Sequence, residues 1–244
     1  MTAARQELRP DPAQRVGFGT AEVFRARLFS PAETAEISAA VDRIPASLRR
    51  HGWSSGSSGM VTIGEPLYRN RARPDYYAEC ARADNRRLYR HFRWVYEKVA
   101  EFFEQRYRAP VVFAEELALP GFHLFEYLRA GRYEGGSWHF DLLHRQVPFL
   151  AAHHDEIQAI VNFTLPVEVP SGGTGMDLVD DEPGAAVPGA GVGLAAPYAP
   201  GVLVFNEREY WHRIGASTCL HDGERRVTLQ GHGVRFRGRL LLFW

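Results

Sequence analysis

The chain changes character at Ala109-Pro110, and that break constrains its fold more than any other feature. Before it, between residues 75 and 107, Leu88, Phe92, Val95, Val99 and Phe102 recur at steps of four and three, so they share one stripe of a helix. Beyond it, short apolar runs bounded by Gly, Pro or acidic turns replace the helical period: Val111 to Leu117, Phe122 to Leu128, Ile157 to Leu165, Val202 to Asn206, Arg226 to Phe236 and Leu240 to Phe243. These runs have strand length and are rich in side chains that pack well on a pleated surface. The pattern predicts a mainly β fold with supporting helices, a sandwich or barrel buttressed by the N-terminal third.

A chain of 244 residues can bury a full core, and we read one domain from residue 20 to 244, with helical support over 20–109 and the β core over 110–244. Residues 1–19 are polar and read as a flexible arm. Ser30-Pro31-Ala32-Glu33 supplies a capping Ser, a Pro at the first helical position and a Glu three residues after the cap, which predicts a helix to about Ile44. The run from His51 to Met60 is Gly/Ser-rich and reads as a mobile loop near a site. Residues 180–201, dominated by Ala, Gly and Pro, read as a long surface insertion.

Lys plus Arg and Asp plus Glu both number 29, so no net field draws the protein to nucleic acid or anionic lipid, and a small-molecule partner fits better. The two cysteines, Cys80 and Cys219, lie far apart and lack CxxC partners, which argues for a reducing cytoplasm. No apolar run suits a signal peptide or a membrane span, so the expectation is a soluble, cytoplasmic protein. Oligomeric state is not legible.

His139-Phe140-Asp141 opens the chemistry. On an extended chain, residues two apart point to one face, so an imidazole and a carboxylate converge. Such a pair is half a metal site, and by itself it is also what a surface turn contains. A strand and glycine turn holding Tyr127, Gly131 and Tyr133 precede it; Tyr210-Trp211-His212-Arg213 follows the strand after Gly201, and Arg226-Val227-Thr228 comes later. On that last strand Arg226, Thr228, Gln230 and His232 share one face while Val227 and Leu229 take the other, a polar file natural for a pocket.

From about Val111 to Phe236 the chain resembles the iron(II)- and 2-oxoglutarate-dependent oxygenases, especially the branch related to prolyl 4-hydroxylases. Four blocks match in order: Tyr127 to Asp141; Ala159 to Leu165 with Gly172-Gly173-Thr174; Gly201 to His212; and Arg226-x-Thr228. The resemblance implies a double-stranded β-helix (a jelly-roll or cupin-like core) with iron(II) held by His139, Asp141 and His212, and 2-oxoglutarate anchored by Arg226 and Thr228. Three protein ligands leave the other positions of an octahedral ion open for a bidentate 2-oxo acid and O2, and the planar fork of an arginine suits a carboxylate. The implied reaction is O2-dependent decarboxylation of 2-oxoglutarate to succinate and CO2, coupled to hydroxylation, or to desaturation or ring closure. Related halogenases replace the carboxylate ligand by Gly or Ala; with Asp141 present, halogenation is not implied.

Tyr127 has two readings, a neighbour of 2-oxoglutarate or a core tyrosine with a satisfied hydroxyl. Tyr133 and Trp138 shape a substrate pocket or pack as ordinary aromatics, and His232 is the spare histidine placed to touch substrate. Arg225, next to Arg226, should face solvent. The substrate expected is an amino acid or small natural-product intermediate, with a peptide- or carrier-bound one as the alternative. A zinc hydrolase would need a general base, yet no HExxH is present and Arg226 would be idle; a non-catalytic 2-oxoglutarate-binding module would keep the pocket without turnover.

Overall fold

The computed structural model describes residues 14–18, 21–54, 57–70, 72–179 and 193–244. In chain order the elements are β1 (Gln14–Phe18), β2 (Ala21–Arg27), α1 (Pro31–Asp42), β3 (Arg49–Ser54), β4 (Ser58–Ile63), α2 (Pro74–Tyr107), β5 (Val111–Val112), β6 (Gly121–Tyr127), β7 (Gly131–Tyr133), α3 (Pro148–Ala152), β8 (Ile157–Glu168), β9 (Gly175–Val179), β10 (Leu194–Pro197), β11 (Val202–Asn206), β12 (Trp211–Ile214), β13 (Ser217–Cys219), β14 (Arg225–Phe236) and β15 (Arg239–Phe243). Strand dominates, and the core is a jelly roll.

The main sheet runs β1-β2-β11-β8-β14-β6-β4-β3, and β14 is its spine. One edge of β14 pairs along its length with β8; the other pairs first with β6, from Arg225↔Glu126 to Gln230↔Gly121, and then with β15, from His232↔Phe243 to Phe236↔Arg239. A bulge on β8 sets Val227↔Glu168 beside Thr228↔Pro166, so β14 itself keeps a strict alternation of faces. Three short strands, β10-β9-β12, form the facing sheet.

Alternation decides what lies between. Val227 and Leu229 of β14, with Val161, Phe163, Leu165, Leu203 and Phe205, turn to the helices. There α2 lays down the predicted stripe: the Phe92 ring sits 4.6 Å from Phe122, and Phe102 sits 5.6 Å from Phe205. Such aromatic pairs add about 0.5–1.5 kcal/mol beyond their buried area. Helix α1 starts where the sequence says: Ser30 Oγ accepts from Glu33 N–H, and the Glu33 carboxylate accepts from Ser30 N–H. On the opposite face, Val23 and Val204 meet Met176, Leu178, Leu194 and Ala196 of the small sheet, closing the sandwich at one end. No helix among the described residues is long and apolar enough to cross a membrane.

Four expectations need correction. Gln14–Phe18, assigned to the arm, is a strand, and with β2 it extends the main sheet beyond β11; residues 1–13 of that arm lie outside the described residues. The 51–60 loop is largely hairpin, β3 and β4, zipped onto β6 from Ser58↔Tyr127 to Ile63↔Phe122; Gly and Ser have poor strand propensity, and cross-strand pairing overrides it. The expected strand from Val111 to Leu117 shortens to two residues, parallel to β15. Of the 180–201 insertion, residues 180–192 lie outside the described residues, whereas Leu194–Pro197 is strand β10 and joins the inner core.

Candidate metal centre and cavity

His139 and His212 come from stretches far apart in sequence, and the backbone joins them. Each donates its amide N–H to the other's carbonyl, at 2.9 and 3.0 Å, in an isolated antiparallel bridge that ties the segment holding His139 to β12. A residue pair that exchanges both bonds projects its side chains to one face, and the imidazoles stand 4.4 Å apart between centroids. Phe140 and Trp211, one residue off on each segment, stack on each other at 4.5 Å. Gly135 lets the incoming segment approach β12: a Cβ there would overlap the Ile214 carbonyl oxygen.

Asp141, two residues past His139, completes the group. His212 Nε2 lies 3.0 Å from Asp141 Oδ2, and His139 Nε2 lies 4.0 Å from Oδ1. One ligand-type atom from each of the three residues falls within 4.8 Å of the others. Backbone carbonyls orient both rings: His139 Nδ1 bonds Ser137 O at 2.8 Å and His212 Nδ1 bonds Tyr210 O at 3.0 Å. With the proton held on Nδ1, each ring turns Nε2 inward, the arrangement by which metal-ligating histidines are commonly fixed. Burial alone would raise the Asp141 carboxyl, but the His212 charge and hydrogen bond, with His232 and His139 nearby, hold it well below the usual carboxylate range. Burial opposes a charge on His212; the Asp141 carboxylate and the Tyr210 carbonyl reverse that and push its pKa up.

The three residues open onto a cavity of about 640 Å³ between the two sheets. Arg226 lies beside it, 1 % exposed, with its guanidinium 3.9 Å above the Phe125 ring, and Phe125 lines the cavity. Arg226 Nε and Nη1 find no hydrogen-bond partner among the described residues, and burial lowers its pKa. A buried guanidinium with two unmet donors is costly unless an anion arrives. A planar guanidinium with donors still to satisfy is what a carboxylate pairs with. Arg225, by contrast, bonds Glu168 at 2.6 Å and Asp42 at 2.5 Å. It is therefore ion-paired rather than simply solvated, and the buried position belongs to Arg226.

No family model matches the chain, and no curated protein matches it. Among solved structures it is similar to an N-substituted L-amino acid dioxygenase from Burkholderia ambifaria AMMD, at a TM-score of 0.51 and 14% identity over 97% of this chain and 99% of that one. The same dioxygenase in complex with α-ketoglutarate (2-oxoglutarate) gives 0.51 and 16% over the same shares. The chain has the fold of this oxygenase. A prolyl-4-hydroxylase from Pseudomonas putida aligns with a TM-score of 0.38 and 16% identity over 88% of this chain and 93% of that one.

Within that fold the remaining sequence candidates fall as follows. Thr228 is fully buried beside Arg226, and its Oγ1 accepts from Gln230 Nε2 at 3.4 Å. Tyr127 is buried and donates its hydroxyl proton to Ser217 Oγ at 2.8 Å; Ser217 passes one to Thr174 Oγ1 at 2.9 Å. It thus has a satisfied hydroxyl close enough to influence Arg226 electrostatically. Tyr133 packs on Tyr127 and donates to the Arg129 carbonyl, and Trp138 stacks under Arg213; neither is among the residues lining the cavity. His232 does line it, with Nε2 4.0 Å from Asp141 Oδ2.

Sequence reasoning passed over Tyr198, Tyr68, His123, Asn162 and Asn206, all of which line the cavity. Tyr198 follows β10 in the segment read as a surface insertion, and it lies near enough to Arg226 for the guanidinium to oppose the rise that burial gives its hydroxyl pKa. Its only sequence signal was a lone aromatic among Ala, Pro and Gly.

Proposed function

We propose that the chain is an iron(II)- and 2-oxoglutarate-dependent oxygenase that oxidises an unactivated C–H bond of a small molecule. Hydroxylation is the default outcome, and desaturation or cyclisation are variants of it. The observation that carries this reading is a two-imidazole, one-carboxylate group opening onto a cavity beside which lies a buried guanidinium whose Nε and Nη1 meet no partner among the described residues. Neither half explains the other unless a molecule with a metal-chelating end and a carboxylate tail lies between them.

His139, Asp141 and His212 would hold the iron through Nε2, a carboxylate oxygen and Nε2, a donor set suited to iron(II) with open positions. Arg226 would receive the distal carboxylate, with Thr228 and Tyr198 beside it. Bound iron(II) supplies O2 activation coupled to decarboxylation of 2-oxoglutarate to succinate and CO2. The chain's own residues orient the reactants: Ser137 and Tyr210 carbonyls fix the imidazoles, Phe125 backs the guanidinium, and Met176, Ile214 and Trp244 help to exclude water. The cavity has room for the co-substrate and a small substrate together. An amino acid or small natural-product intermediate is the substrate frame we adopt. The neighbour's N-substituted amino acid lies within that frame. Both cysteines are free, in keeping with a cytoplasmic setting.

The test is anaerobic reconstitution with iron(II) and 2-oxoglutarate, reading the weak visible charge-transfer band of the chelate. The wild type should give the band and His212→Ala should lose it; a band that persists in the variant refutes the ligand assignment. Succinate release under air separates an enzyme from a binding module, and zinc content without 2-oxoglutarate dependence would favour a hydrolase.

A further inference from the structure

Three polar side chains stand in a row across three adjacent strands on the cavity face. Asn206 of β11 is the register partner of Asn162 of β8, and Asn162 is the partner of His232 of β14. Asn162 Nδ2 donates to Asn206 Oδ1 at 3.4 Å, which leaves Asn162 Oδ1 to accept from His232 Nδ1 at 2.7 Å. The amide pair therefore fixes the imidazole's proton on Nδ1 and turns Nε2 into the cavity as an acceptor. At 4.0 Å from Asp141 Oδ2, that nitrogen is too far to be spent on the carboxylate. Elsewhere on the lining, the Tyr68 hydroxyl bonds His123 Nε2 at 2.8 Å. Burial, helped by the Arg226 charge, drives the His123 pKa down to about 3, so that pair is neutral.

The charges around this wall are already matched. Besides Asp141 and its two imidazole companions, Arg213 is the charged residue on the described lining; its Nε bonds Asp177 Oδ2 at 2.9 Å and its guanidinium covers the Trp138 ring. With iron(II), Asp141, Arg226 and the 2-oxoglutarate dianion in place, positive and negative charges balance. A substrate carboxylate would be buried next to a dianion with no cation among the described lining residues that is not already matched by an acidic partner, and buried unpaired charge is strongly disfavoured. Neutral amide and imidazole groups, held in fixed orientation, suit an uncharged partner instead.

We infer that the Asn206–Asn162–His232 row, together with the Tyr68–His123 pair, is the substrate-recognition wall, and that it takes an uncharged substrate offering N–H or O–H donors. The class is amide- or hydroxyl-bearing small compounds, rather than a free amino acid gripped by its carboxylate. This rests on the oxygenase reading, because the charge balance counts the iron and its co-substrate.

The experiment uses the full chain, loaded anaerobically with iron(II) and 2-oxoglutarate, and follows the chelate band as N-acetyl amino-acid amides and cyclic dipeptides are titrated against the matching N-acetyl amino acids. Neutral probes should perturb the band, and their carboxylate counterparts should bind at least about ten-fold more weakly. Asn162→Leu frees His232 to rotate; it should keep the chelate band while weakening the neutral probes about five-fold or more, with Asn162→Gln restoring part of the loss. Should Asn162→Leu fail to give a chelate band, Asn206→Ser tests the same row. The inference is overturned if carboxylates bind as well as amides, if no neutral probe perturbs the band, or if the row variants leave neutral affinity unchanged. Loss of the chelate band in the wild type itself would instead overturn the oxygenase reading on which the inference stands.

Discussion

Replacing Arg226 by Met should make the protein more stable and less functional at once. The two effects come from the same atoms. Arg226 is 1 % exposed and leaves Nε and Nη1 unmet. A buried donor without a partner costs about 1–3 kcal/mol, so two of them cost roughly 2–6 kcal/mol. The stack on Phe125, at 3.9 Å, returns about 2 kcal/mol of that. Methionine fills the space of the arginine stem with a flexible apolar chain, so the variant without co-substrate should gain roughly 0–4 kcal/mol, about 2 kcal/mol at the midpoint. For a chain of this size each kcal/mol moves Tm by about 2–4 °C, which gives a rise of roughly 4–8 °C at that midpoint in thermal denaturation without 2-oxoglutarate. The same change removes two charge-assisted hydrogen bonds to the co-substrate, worth about 1.5–3 kcal/mol each. Affinity should fall by roughly a hundred-fold to ten-thousand-fold in an anaerobic titration. Added 2-oxoglutarate at about a hundred times its Kd should stabilise the wild type by about 2.7 kcal/mol, and at that concentration leave the variant nearly unmoved. A variant that melts lower than wild type and still binds 2-oxoglutarate within ten-fold would refute the reasoning, because Arg226 would then be a structural ion.

Tyr198→Phe should weaken 2-oxoglutarate binding by about three- to ten-fold in the same titration, the loss expected for one hydroxyl beside the carboxylate end; unchanged affinity would remove Tyr198 from the anchor. Arg225→Gln tests the outer ion pairs. The Arg225 hydrogen bond lowers the Asp42 pKa below 3.8, so its contribution is present above that pH and lost as pH falls through the lower folded value. The pair is half exposed, so the variant should cost no more than about 1 kcal/mol at neutral pH in a denaturant titration, and its deficit should vanish in acid; a deficit that grows on acidification would refute the assignment. Gly121→Ala would drive a methyl into the Trp244 ring, costing about 1–3 kcal/mol by overpacking and reshaping the cavity wall that Trp244 forms. Equal stability of this variant by thermal denaturation would show that the ring can move aside.

The parts of the site that could be read from sequence are those set by local alternation. His139 and Asp141 are two apart on extended chain, and Arg226 to His232 is one uninterrupted strand, so which side chains share a face followed from periodicity, while the choice of these residues and of His212 came from the resemblance to the oxygenases. Choosing Arg226 over Arg225 depended on Thr228, and the structure buries Arg226 while pairing Arg225 with Asp42 and Glu168. The Asn206–Asn162–His232 row was illegible for the opposite reason: each asparagine sits in an apolar strand, and their meeting is fixed by pairing among β11, β8 and β14. Tyr198 was hidden by the Ala/Pro-rich composition around it, and the 51–60 hairpin by residues whose strand propensity is weak until β6 offers partners.

Because the segment carrying His139 is tied to β12 by the two His139–His212 backbone bonds and by the Gly136 N–H to the Ile214 carbonyl, an ion held as proposed would be gripped across a short zipper at the rim of the sandwich. Parting that zipper would separate the two imidazole-bearing segments while β14 and its neighbours stay shut. Loading and loss of the ion would then proceed through a small, reversible breathing of the rim, and the anion socket at Arg226 would persist throughout.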